Sequence, residues 1–293
     1  MVYANTLQET TYMMRKRILT MVFVLAVMMP PLVAQTASGT QQYQPTVGQH
    51  GKDVIWVPTP DELITAMLDM AKVTSSDYVI DLGSGDGRIV IAAAKRGARA
   101  MGIEFNPDMV ELSRQNAEKA GVSEKATFVQ GDIFEKDFSQ ATVVTMYLLP
   151  ELNMRLRPKI LDLAPGTRIV THAFDMEDWE ADQSIMADGR TAYLWIVPAK
   201  VGGTWTWKTT SGDAELAITQ NFQKIEGSLK LDGKEQPIKN AKLEADRISF
   251  SAGEGNPTTV DFAGRVKGEG IEGTSKSAGG TESKWQAQRR PTP

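Results

Sequence analysis

Three acidic residues, Asp81, Glu104 and Asp132, stand where short apolar stretches of the sequence end. An ionised carboxylate offers only hydrogen-bond acceptors, so it suits the hydroxyl and amino groups of a ligand. Apolar stretches of this length, separated by helical patterns, predict parallel strands of one sheet, and such sheets bind ligands at the carboxyl ends of their strands. We therefore expect the three carboxylates to converge on one cleft of nucleoside size.

A glycine-rich turn joins the first of these strands to a helix. Gly83, Gly85 and Gly87 alternate with other residues shortly after Asp81. Glycine tolerates positive φ and lets the backbone approach a ligand, and the helix start adds unpaired N–H groups and a positive dipole. A dinucleotide fingerprint would need its third glycine at position 88, which is Arg88. The spacing found resembles motif I of class I S-adenosylmethionine (SAM) methyltransferases, in which the acid faces the methionine end of the cofactor.

The second and third acids have expected partners of their own. Glu104 follows the turn by about 20 residues, the spacing at which the second strand of a Rossmann-like sheet places a carboxylate on ribose hydroxyls. The alternative for Glu104 is a solvated acid at a strand end. Asp132 resembles the acid of SAM sites that accepts from the adenine amino group, with Ile133 against the ring. The expected cofactor-binding residues are Asp81, Gly83, Ser84, Gly85, Gly87, Glu104, Phe105, Asp132 and Ile133.

The acceptor side of the cleft is expected at the end of the fourth strand, residues 141–147. The Asn/Asp-Pro-Pro-Tyr motif of DNA and glutamine N-methyltransferases is absent there. Tyr147 instead offers an aromatic face and a hydroxyl to an amine, and its alternative is a tyrosine packed in the core. Residues 56–59 are expected either to fold over the methionine end or to cap a helix that packs on the sheet. Tyr147 and Thr59 are the candidate catalytic residues.

A histidine near the end of the fifth strand, His172, is the remaining candidate for acid–base chemistry. We expect it to pack on that strand or to meet solvent, with a place on the cleft wall as the third option. No strong base stands out at the end of the fourth strand. An acceptor amine would therefore lose its proton through desolvation and the positive charge of the cofactor, because both lower an amine's pKa.

Five segments of the chain follow one another in a recognisable order: VPTP at 57–60, DLGSGDGRIVIAAAK at 81–95, GIEFNP at 102–107, GD at 131–132 and YLLP at 147–150. Together they resemble the protein-lysine N-methyltransferases related to the mitochondrial ATP synthase c-subunit lysine methyltransferase, over residues 55–199. The resemblance implies an α/β fold, the Rossmann-like seven-stranded class I methyltransferase fold. It also implies SAM as cofactor and a protein lysine as acceptor, met by Tyr147 and the Pro-Thr-Pro segment.

Two other functions are compatible with these motifs. A small-molecule N- or O-methyltransferase would share the cofactor site but would need a deeper, lidded pocket. An exported, non-catalytic binding module would keep the fold without useful SAM. A transfer assay that separates protein from small-molecule products distinguishes the first alternative, and titration with SAM distinguishes the second.

The composition limits the chemistry further. Hydrophobic residues make up 41% and charged residues 23% of the 293 residues, as in soluble globular proteins, and the length predicts two domains. A net charge of -4 gives no sign of a nucleic-acid surface, so we expect no nucleic-acid partner. The sequence has no cysteine and 2 histidines. We therefore expect no disulfide, no thiolate nucleophile and no metal site.

The first 34 residues have the pattern of an export segment. A basic cluster at 15–17 precedes an apolar run at 18–29 and a small residue, Ala34. This pattern is typical of a cleaved secretory signal peptide, and the alternative is an uncleaved membrane anchor. Either reading predicts a bacterial protein whose body lies outside the cytoplasm, in the periplasm or cell envelope, with membrane association as an option. Residues 35–53, rich in Gln, Thr, Gly and Ser, are expected to be a flexible linker.

The methyltransferase domain is expected over residues 54–200 and a second, all-β domain over 201–290. Polar and apolar residues alternate in that second part, with Gly, Asp or Asn turns between, which predicts an antiparallel meander closed as a small barrel. It resembles small β domains, with an opening Gly-x-Trp and a closing Trp, appended to many bacterial exported proteins. Trp205, Trp207 and Trp285 are expected in its core. The predicted strands are 204–208, 214–220, 227–231, 241–243, 248–252, 258–263, 270–274 and 284–288.

Overall fold

The structure, a computed structural model, describes residues 43–210, 212–253, 255 and 258–291. The expected export segment, residues 1–34, and the first part of the expected linker, 35–42, lie outside the described residues. Among the described residues, no helix is both long enough and apolar enough to cross a membrane.

Residues 61–196 form four helices and seven strands, with a helix between most successive parallel strands. The helices are α1 (Asp61–Met70), α2 (Arg88–Lys95), α3 (Pro107–Lys119) and α4 (Pro150–Leu161). The strands are β1 (Tyr78–Leu82), β2 (Arg99–Glu104), β3 (Ala126–Gln130), β4 (Val143–Met146), β5 (Arg168–His172), β6 (Gln183–Ala187) and β7 (Arg190–Ile196).

These seven strands form one sheet in the order β3-β2-β1-β4-β5-β7-β6. Strands β1 to β5 run parallel to one another, whereas β7 runs antiparallel to both β5 and β6. The chain moves outward from β1 to β3 and then returns to place β4 on the other side of β1. Such a reversal leaves a crevice at the carboxyl ends of β1 and β4, where open α/β sheets bind ligands. The predicted class I methyltransferase fold is confirmed.

The central strands are buried on both faces, which explains their near-continuous apolar sequences. In β1, Val79 packs in a cluster with α1, α2 and α3, whereas Ile80 and Leu82 pack in a second cluster with α4. The sheet is therefore covered by helices on both faces. At the end of β2, the side chain of Asn106 accepts from the Asp108 N–H at 2.9 Å and caps α3, so the chain turns from strand to helix without a long loop.

The sequence also predicts that a strand over residues 192–197 closes the sheet, and the structure places a different strand at that edge. Strand β7 contains most of these residues but lies inside the sheet, and β6 forms the edge. Strand β6 carries a weak strand signal because its sequence, Gln-Ser-Ile-Met-Ala, does not alternate between polar and apolar residues, and its Met186 is 75% exposed. Asp188 and Gly189, with φ of 51° and 66°, form the two-residue turn between β6 and β7.

The second part of the described chain forms a separate antiparallel sheet, called the tail sheet below. Its strands are β8 (Gly203–Lys208), β9 (Asp213–Asn221), β10 (Lys224–Leu231), β11 (Lys234–Pro237), β12 (Lys239–Glu244), β13 (Arg247–Ala252), β14 (Val260–Lys267), β15 (Gly270–Ser277) and β16 (Glu282–Arg289). Eight of these correspond to predicted strands. The short β11 was not predicted, because its sequence Lys-Glu-Gln-Pro has no apolar alternation.

The tail sheet has the order β11-β10-β9-β8-β16-β15-β14-β13-β12, so its two edge strands are neighbours in the chain. The Ile238 N–H, between these edge strands, donates to the Gly227 carbonyl at 3.0 Å and helps to bring the edges together in a nearly closed barrel. Trp205, Trp207 and Trp285 are 0%, 7% and 5% exposed in its core. The tryptophans therefore fill the interior of the tail sheet.

Candidate active site

A cavity of about 640 Å³ lies at the crevice left by the strand order of the first sheet. Its volume is in the range of ordinary small-molecule and cofactor sites. It runs past the carboxyl ends of β1, β2, β3 and β4, so residues distant in sequence share its wall. Of the residues expected to bind cofactor or act in catalysis, the cavity is lined by Thr59, Asp81, Gly83, Ser84, Gly85, Glu104, Phe105, Asp132, Ile133 and Tyr147.

The glycine turn forms one side of this cavity. The N–H groups of Gly83 and Ser84 both donate to the Ile103 carbonyl, at 2.9 and 3.1 Å, and so tie the turn to β2. Gly85 has a φ of +54°, and a Cβ atom there would lie 2.7 Å from Nε1 of Trp56. A side chain at position 85 would therefore collide with the indole. Glycine at this position lets the indole pack directly on the turn, and Gly83, Ser84 and Gly85 all line the cavity.

Gly87 lies outside the cavity wall, unlike the other residues of the expected cofactor set. It is the N-cap of α2, with a φ of +82°. A Cβ atom on it would lie 2.7 Å from Cε1 of Phe128 and 2.9 Å from Cβ of Ser113. The glycine is therefore needed for close packing of the turn against β3 and α3 rather than for contact with a ligand.

Asp81 is the most buried of the three carboxylates, with 3% of its surface exposed. Its Oδ1 accepts a hydrogen bond from Oγ1 of Thr145 at 2.6 Å. Burial raises the pKa of Asp81 to about 7, and the charges of Glu104 and Asp86 act in the same direction, against the hydrogen bond from Thr145. A cationic group in the cavity would stabilise the ionised form, so Asp81 is suited to a ligand ammonium.

Glu104 links β2 to the glycine turn. Its Oε2 accepts from the Gly85 N–H and its Oε1 accepts from the Asn106 N–H, both at 2.9 Å. Each carboxylate oxygen keeps a second acceptor position, because it has two lone pairs. Glu104 is therefore held in one orientation and can still accept from two neighbouring hydroxyls.

Asp132 stands at the outer end of the cavity. Its Oδ1 accepts from the Phe134 N–H at 2.9 Å, and its Oδ2 accepts from the ammonium of Lys52. The hydrogen bond from Lys52 keeps the pKa of Asp132 below its usual value. Phe105, 48% exposed, lies beside this pair, with Nζ of Lys52 5.1 Å from its ring centroid. An ionised acceptor and an exposed aromatic face are therefore adjacent here.

Residues 48–57 cover one side of the cavity and include part of the expected linker. The Gly48 N–H donates to the Trp56 carbonyl and the Trp56 N–H donates to the Gln49 carbonyl, both at 2.9 Å. The Gly51 N–H donates to the Val54 carbonyl at 2.8 Å and closes the turn. In the described residues, this end of the linker is thus a hydrogen-bonded hairpin on the cavity wall. Its polar composition gave no sign of that role.

Tyr147 and Phe174 form an aromatic pair at the other end of the cavity. Their rings stack with centroids 6.2 Å apart and an interplanar angle of 24°. Tyr147 also stacks on His172, with centroids 3.7 Å apart. His172 also shares a hydrogen bond with Thr59, with 3.0 Å between Nδ1 and Oγ1. His172 therefore contacts both residues that the sequence singles out as catalytic.

His172 itself is buried, with 1% of its surface exposed, and it does not line the cavity. Burial lowers the pKa of His172 to about 4, and the positive charge of Arg190 adds to the effect. Its Nε2 has no hydrogen-bond partner among the described residues. The imidazole is thus neutral at neutral pH, and its stacking contact holds the Tyr147 ring in place.

Arg88, which breaks the dinucleotide pattern, has a structural task at the same site. Its Nη1 donates to the Thr59 carbonyl at 3.1 Å, and its guanidinium forms an ion pair with Asp86 at 2.7 Å. It thereby fixes Thr59 on the cavity wall. The Thr59 hydroxyl is engaged with His172, so Thr59 presents its backbone and methyl group rather than a free hydroxyl.

Several wall residues are not among those that the sequence singles out. Phe174, Met109 and the 49–53 segment all line the cavity. Phe174 follows the end of β5, so applying the strand-end rule to the fifth strand would have found it. Met109 and residues 49–53 carry no comparable signal, because a helical methionine and a polar stretch ordinarily pack in the core or face solvent.

The strand order, the glycine turn and the three carboxylates around one cavity define a class I SAM-dependent methyltransferase. The residues fit SAM, since a buried carboxylate faces the cavity at the turn and two further carboxylates present acceptors along it. Comparison with known proteins agrees with this class. A family model described as the ANTKMT methyltransferase domain matches residues 81–183.

Two relatives identify the family more closely. A protein-lysine N-methyltransferase of Saccharolobus islandicus is 44% identical over 151 residues, which are 49% of this chain and 94% of that protein. The ATP synthase c-subunit lysine N-methyltransferase of Mus musculus is 37% identical over 125 residues, 42% of this chain and 51% of that protein. This chain therefore belongs to the family of methyltransferases that the ANTKMT methyltransferase domain describes. It spans about half the length of the mouse relative.

A solved structure is also similar in sequence. An RNA methyltransferase from Salinibacter ruber, in complex with S-adenosyl-L-homocysteine, is 50% identical and is covered over 96% of its chain, with 50% of this chain aligned. The TM-score of that match is 0.49. Both this match and the one from Saccharolobus cover about half of the present chain, because the chain also contains the tail sheet and the residues before position 43.

Proposed function

We propose that this protein transfers the methyl group of SAM to the ε-amine of a lysine in a protein. The observation that carries the proposal is the asymmetry of the cavity: the three carboxylates belong to β1 and to the ends of β2 and β3, whereas Tyr147 and Phe174 follow β4 and β5 on the other side of the crevice. The polar end suits a nucleoside with an amino-acid tail, and the aromatic end suits an amine. The names of relatives at 44% and 37% identity support lysine as the acceptor.

SAM, when bound, supplies a methyl group attached to a positively charged sulfur. By resemblance, Asp81 and the glycine turn would hold its methionine part, Glu104 its ribose, and Asp132 with Ile133 its adenine. Asp81 is prepared for an ammonium, because ionising it in its buried position is unfavourable until a positive charge arrives. The two backbone N–H groups on Glu104 keep that carboxylate from turning away.

The acceptor amine must be neutral to attack, since a protonated amine has no free electron pair. The reference pKa of lysine is about 10.4, so the neutral form is scarce at pH 7. Tyr147 and Phe174 present aromatic faces that favour an amine cation on arrival and give little solvation once the amine is enclosed. Desolvation and the nearby positive sulfur then lower the amine's pKa. Neutral, buried His172 holds Tyr147 in place and is not the base.

The main contribution of such a site is orientation. Holding the amine and the methyl group in line can supply on the order of 7–11 kcal/mol of the barrier reduction. Here Tyr147 stacks on buried His172, and the next residue, Leu148, packs on the glycine turn, with its Cδ2 3.2 Å from where a Cβ on Gly83 would lie. A rigid acceptor end is therefore part of the proposed mechanism.

A transfer assay tests the acceptor class directly. We expect cell-envelope extract incubated with the protein and SAM carrying a labelled methyl group to incorporate label into protein, with methylated lysine recovered after acid hydrolysis. Asp81→Asn should abolish most incorporation. Glu118→Gln, the same charge change on an exposed face of α3, should leave it unchanged. Label recovered in small molecules or in RNA, with protein unlabelled, would contradict the lysine proposal.

We further propose, from the sequence of residues 1–34, that the protein is exported to the cell envelope of a bacterium. The support is the basic cluster and apolar run that precede the polar linker. Cell fractionation, with N-terminal sequencing of the recovered protein, should find it outside the cytoplasm, either cut near Ala34 or retained in the membrane. Recovery in the cytoplasm with its first residues intact would contradict this proposal. Since SAM is made in the cytoplasm, an exported enzyme would need a supply of cofactor.

A further inference from the structure

The loop between β5 and β6, residues 173–182, carries Phe174 to the acceptor end of the cavity and is called the Phe174 loop below. Ala173 and Glu177 have φ of 68° and 55°. Left-handed backbone is unfavourable for residues other than glycine, and it persists where surrounding contacts hold it. Contacts on both sides of this loop do so.

On its inner side the loop is held by α4. Nδ2 of Asn153 donates to the Asp175 carbonyl at 3.2 Å, and Nη1 of Arg157 donates to the Met176 carbonyl at 3.1 Å. The Trp179 N–H donates to the Met176 carbonyl at 3.2 Å, which closes the loop on itself. These bonds connect Phe174 to Trp179 through a short, hydrogen-bonded stretch of backbone.

On its outer side the loop is held by the tail sheet. Trp179 is 1% exposed, and its ring stacks on Phe222 with centroids 5.6 Å apart and an interplanar angle of 17°. Nε1 of Trp179 donates to Oε1 of Gln223 at 3.0 Å, and Nε2 of Gln223 donates to the Glu180 carbonyl at 2.9 Å. Two consecutive residues of the tail sheet thus bind the side chain and the backbone of the Phe174 loop.

Phe222 and Gln223 form the turn between β9 and β10, since Asn221 pairs directly with Lys224. Phe222 has a φ of 53°. Glycine is the usual residue at the first central position of a hairpin turn that needs positive φ. A phenylalanine at this position has an unfavourable backbone conformation, but its ring stacks on Trp179. The strained residue of the turn is therefore the one that contacts the Phe174 loop.

We propose that this Phe222-Gln223 turn is a positioning element for methyl transfer. It holds the Phe174 loop against α4 and so sets the distance between Phe174 and Tyr147 at the acceptor end. Phe222 and Gln223 do not line the cavity, so they act through the loop and not on the reacting atoms. In this role the tail sheet affects how the acceptor is positioned for methyl transfer and does not affect cofactor binding. The acceptor part of the inference rests on the function proposed above.

Steady-state kinetics with a methyl-accepting protein, combined with SAM calorimetry, test the inference in the full-length protein. We expect Phe222→Ala and Gln223→Ala to lower kcat/KM for the acceptor by up to about tenfold, because a misplaced Phe174 disturbs the orientation of the acceptor. The Kd for SAM should stay within about twofold, since no cofactor residue moves. Phe222→Tyr should restore acceptor use, because it keeps the stacked ring.

Ser228→Ala is the matched control. Ser228 lies in the middle of β10, and its Oγ donates to Oε1 of Glu235 at 2.7 Å within the tail sheet. This variant loses a side-chain contact of the tail sheet but none with the Phe174 loop, so its kinetics should equal those of the unmutated protein. Equal losses in Ser228→Ala and Phe222→Ala would contradict the inference, as would a parallel loss of SAM affinity in Phe222→Ala.

Hydrogen exchange provides a readout that does not need an acceptor. We expect backbone amides in residues 174–182 to exchange faster in Phe222→Ala and Gln223→Ala than in Ser228→Ala, while those of β1 and the glycine turn keep their protection. If no protein substrate accepts methyl groups but this exchange pattern is found, the proposed acceptor class fails and the loop-positioning role stands. Unchanged exchange in the loop would overturn the inference itself.

Discussion

The two ends of the cavity are built in different ways. At the cofactor end, Glu104 and Asp132 stand at or just after strand ends, and backbone N–H groups close to them orient their carboxylates. At the acceptor end, the hydrogen bond between Thr59 and His172 joins residues 113 positions apart, and Tyr147 is placed by stacking. The proposed cofactor end thus depends on the sheet topology, whereas the proposed acceptor end depends on long-range packing of side chains.

The largest effect is expected at the cofactor end. Asp81→Ala should weaken SAM binding by about 2–3 kcal/mol, roughly 100-fold, since a charged hydrogen-bonding partner of the ligand is removed. Equilibrium dialysis with labelled SAM measures this change. The same substitution should not make the acceptor lysine harder to bind. A variant that binds SAM normally would show that Asp81 is not a cofactor ligand.

The second effect is a pH dependence of SAM binding that comes from Asp81 at the cofactor end. The pKa of Asp81 is raised to about 7, and a bound ammonium would lower it, so SAM affinity should rise about tenfold between pH 6 and pH 8. The raised pKa also means that the contribution of this group to stability is greatest below pH 3.8 and is lost as pH rises through 7. Asp81→Asn should therefore show flat SAM affinity and a higher Tm than the unmutated protein at pH 8. If SAM affinity changed with pH in the same way in Asp81→Asn and in the unmutated protein, Asp81 would not be the titrating ligand of SAM.

At the acceptor end, Tyr147→Ala should lower kcat/KM for the acceptor about tenfold, the size of a partly desolvated cation–π contact. Tyr147→Phe should stay within about threefold, because the aromatic face is retained. SAM affinity should be unchanged in both variants. If Tyr147→Phe were as impaired as Tyr147→Ala, the hydroxyl rather than the ring would be the functional group, and the packing account of this end would need revision.

The smallest effect is expected at His172. Turnover in His172→Ala should remain within about tenfold of the unmutated protein, because the histidine supports Tyr147 and does not move a proton. Its pKa is lowered from 6.5 to about 4, so its contribution to stability is present above pH 6.5 and is lost as pH falls toward 4. Thermal unfolding between pH 4 and 8 should show this loss in the unmutated protein and less of it in His172→Ala. A thousandfold fall in turnover would make His172 the base.

The difference between the ends also explains what sequence reasoning could reach. The meeting of Asp81, Glu104 and Asp132 at one cavity was predictable from the sequence. It requires only that the strands are assigned correctly, because the carboxyl ends of parallel strands lie at the same edge of a sheet. The class I fold was predictable for the same reason. The antiparallel tail sheet followed from alternation and turn spacing, and its missed β11 has no alternation to read.

Packing partners were not predictable in the same way. The polar composition of residues 43–53 suggested open chain, yet 48–56 form a hairpin on the cavity wall. His172 and Phe174 meet Tyr147 across β4 and β5, and no spacing in the chain encodes a stack between them. The role of Phe222 is even harder to predict, because phenylalanine is not a residue that hairpin turns favour at a position with positive φ. Such residues are found only when distant elements are seen together.

Calorimetric titration of SAM into the intact protein tests the central claim most directly, namely that the three carboxylates and the glycine turn form one cofactor site. We expect a single site with affinity in the micromolar range, and loss of measurable binding in Glu104→Ala, which removes both the ribose acceptor and the tie to Gly85. No heat of binding in the unmutated, folded protein would contradict the claim and favour a binding module that retains the fold without the cofactor.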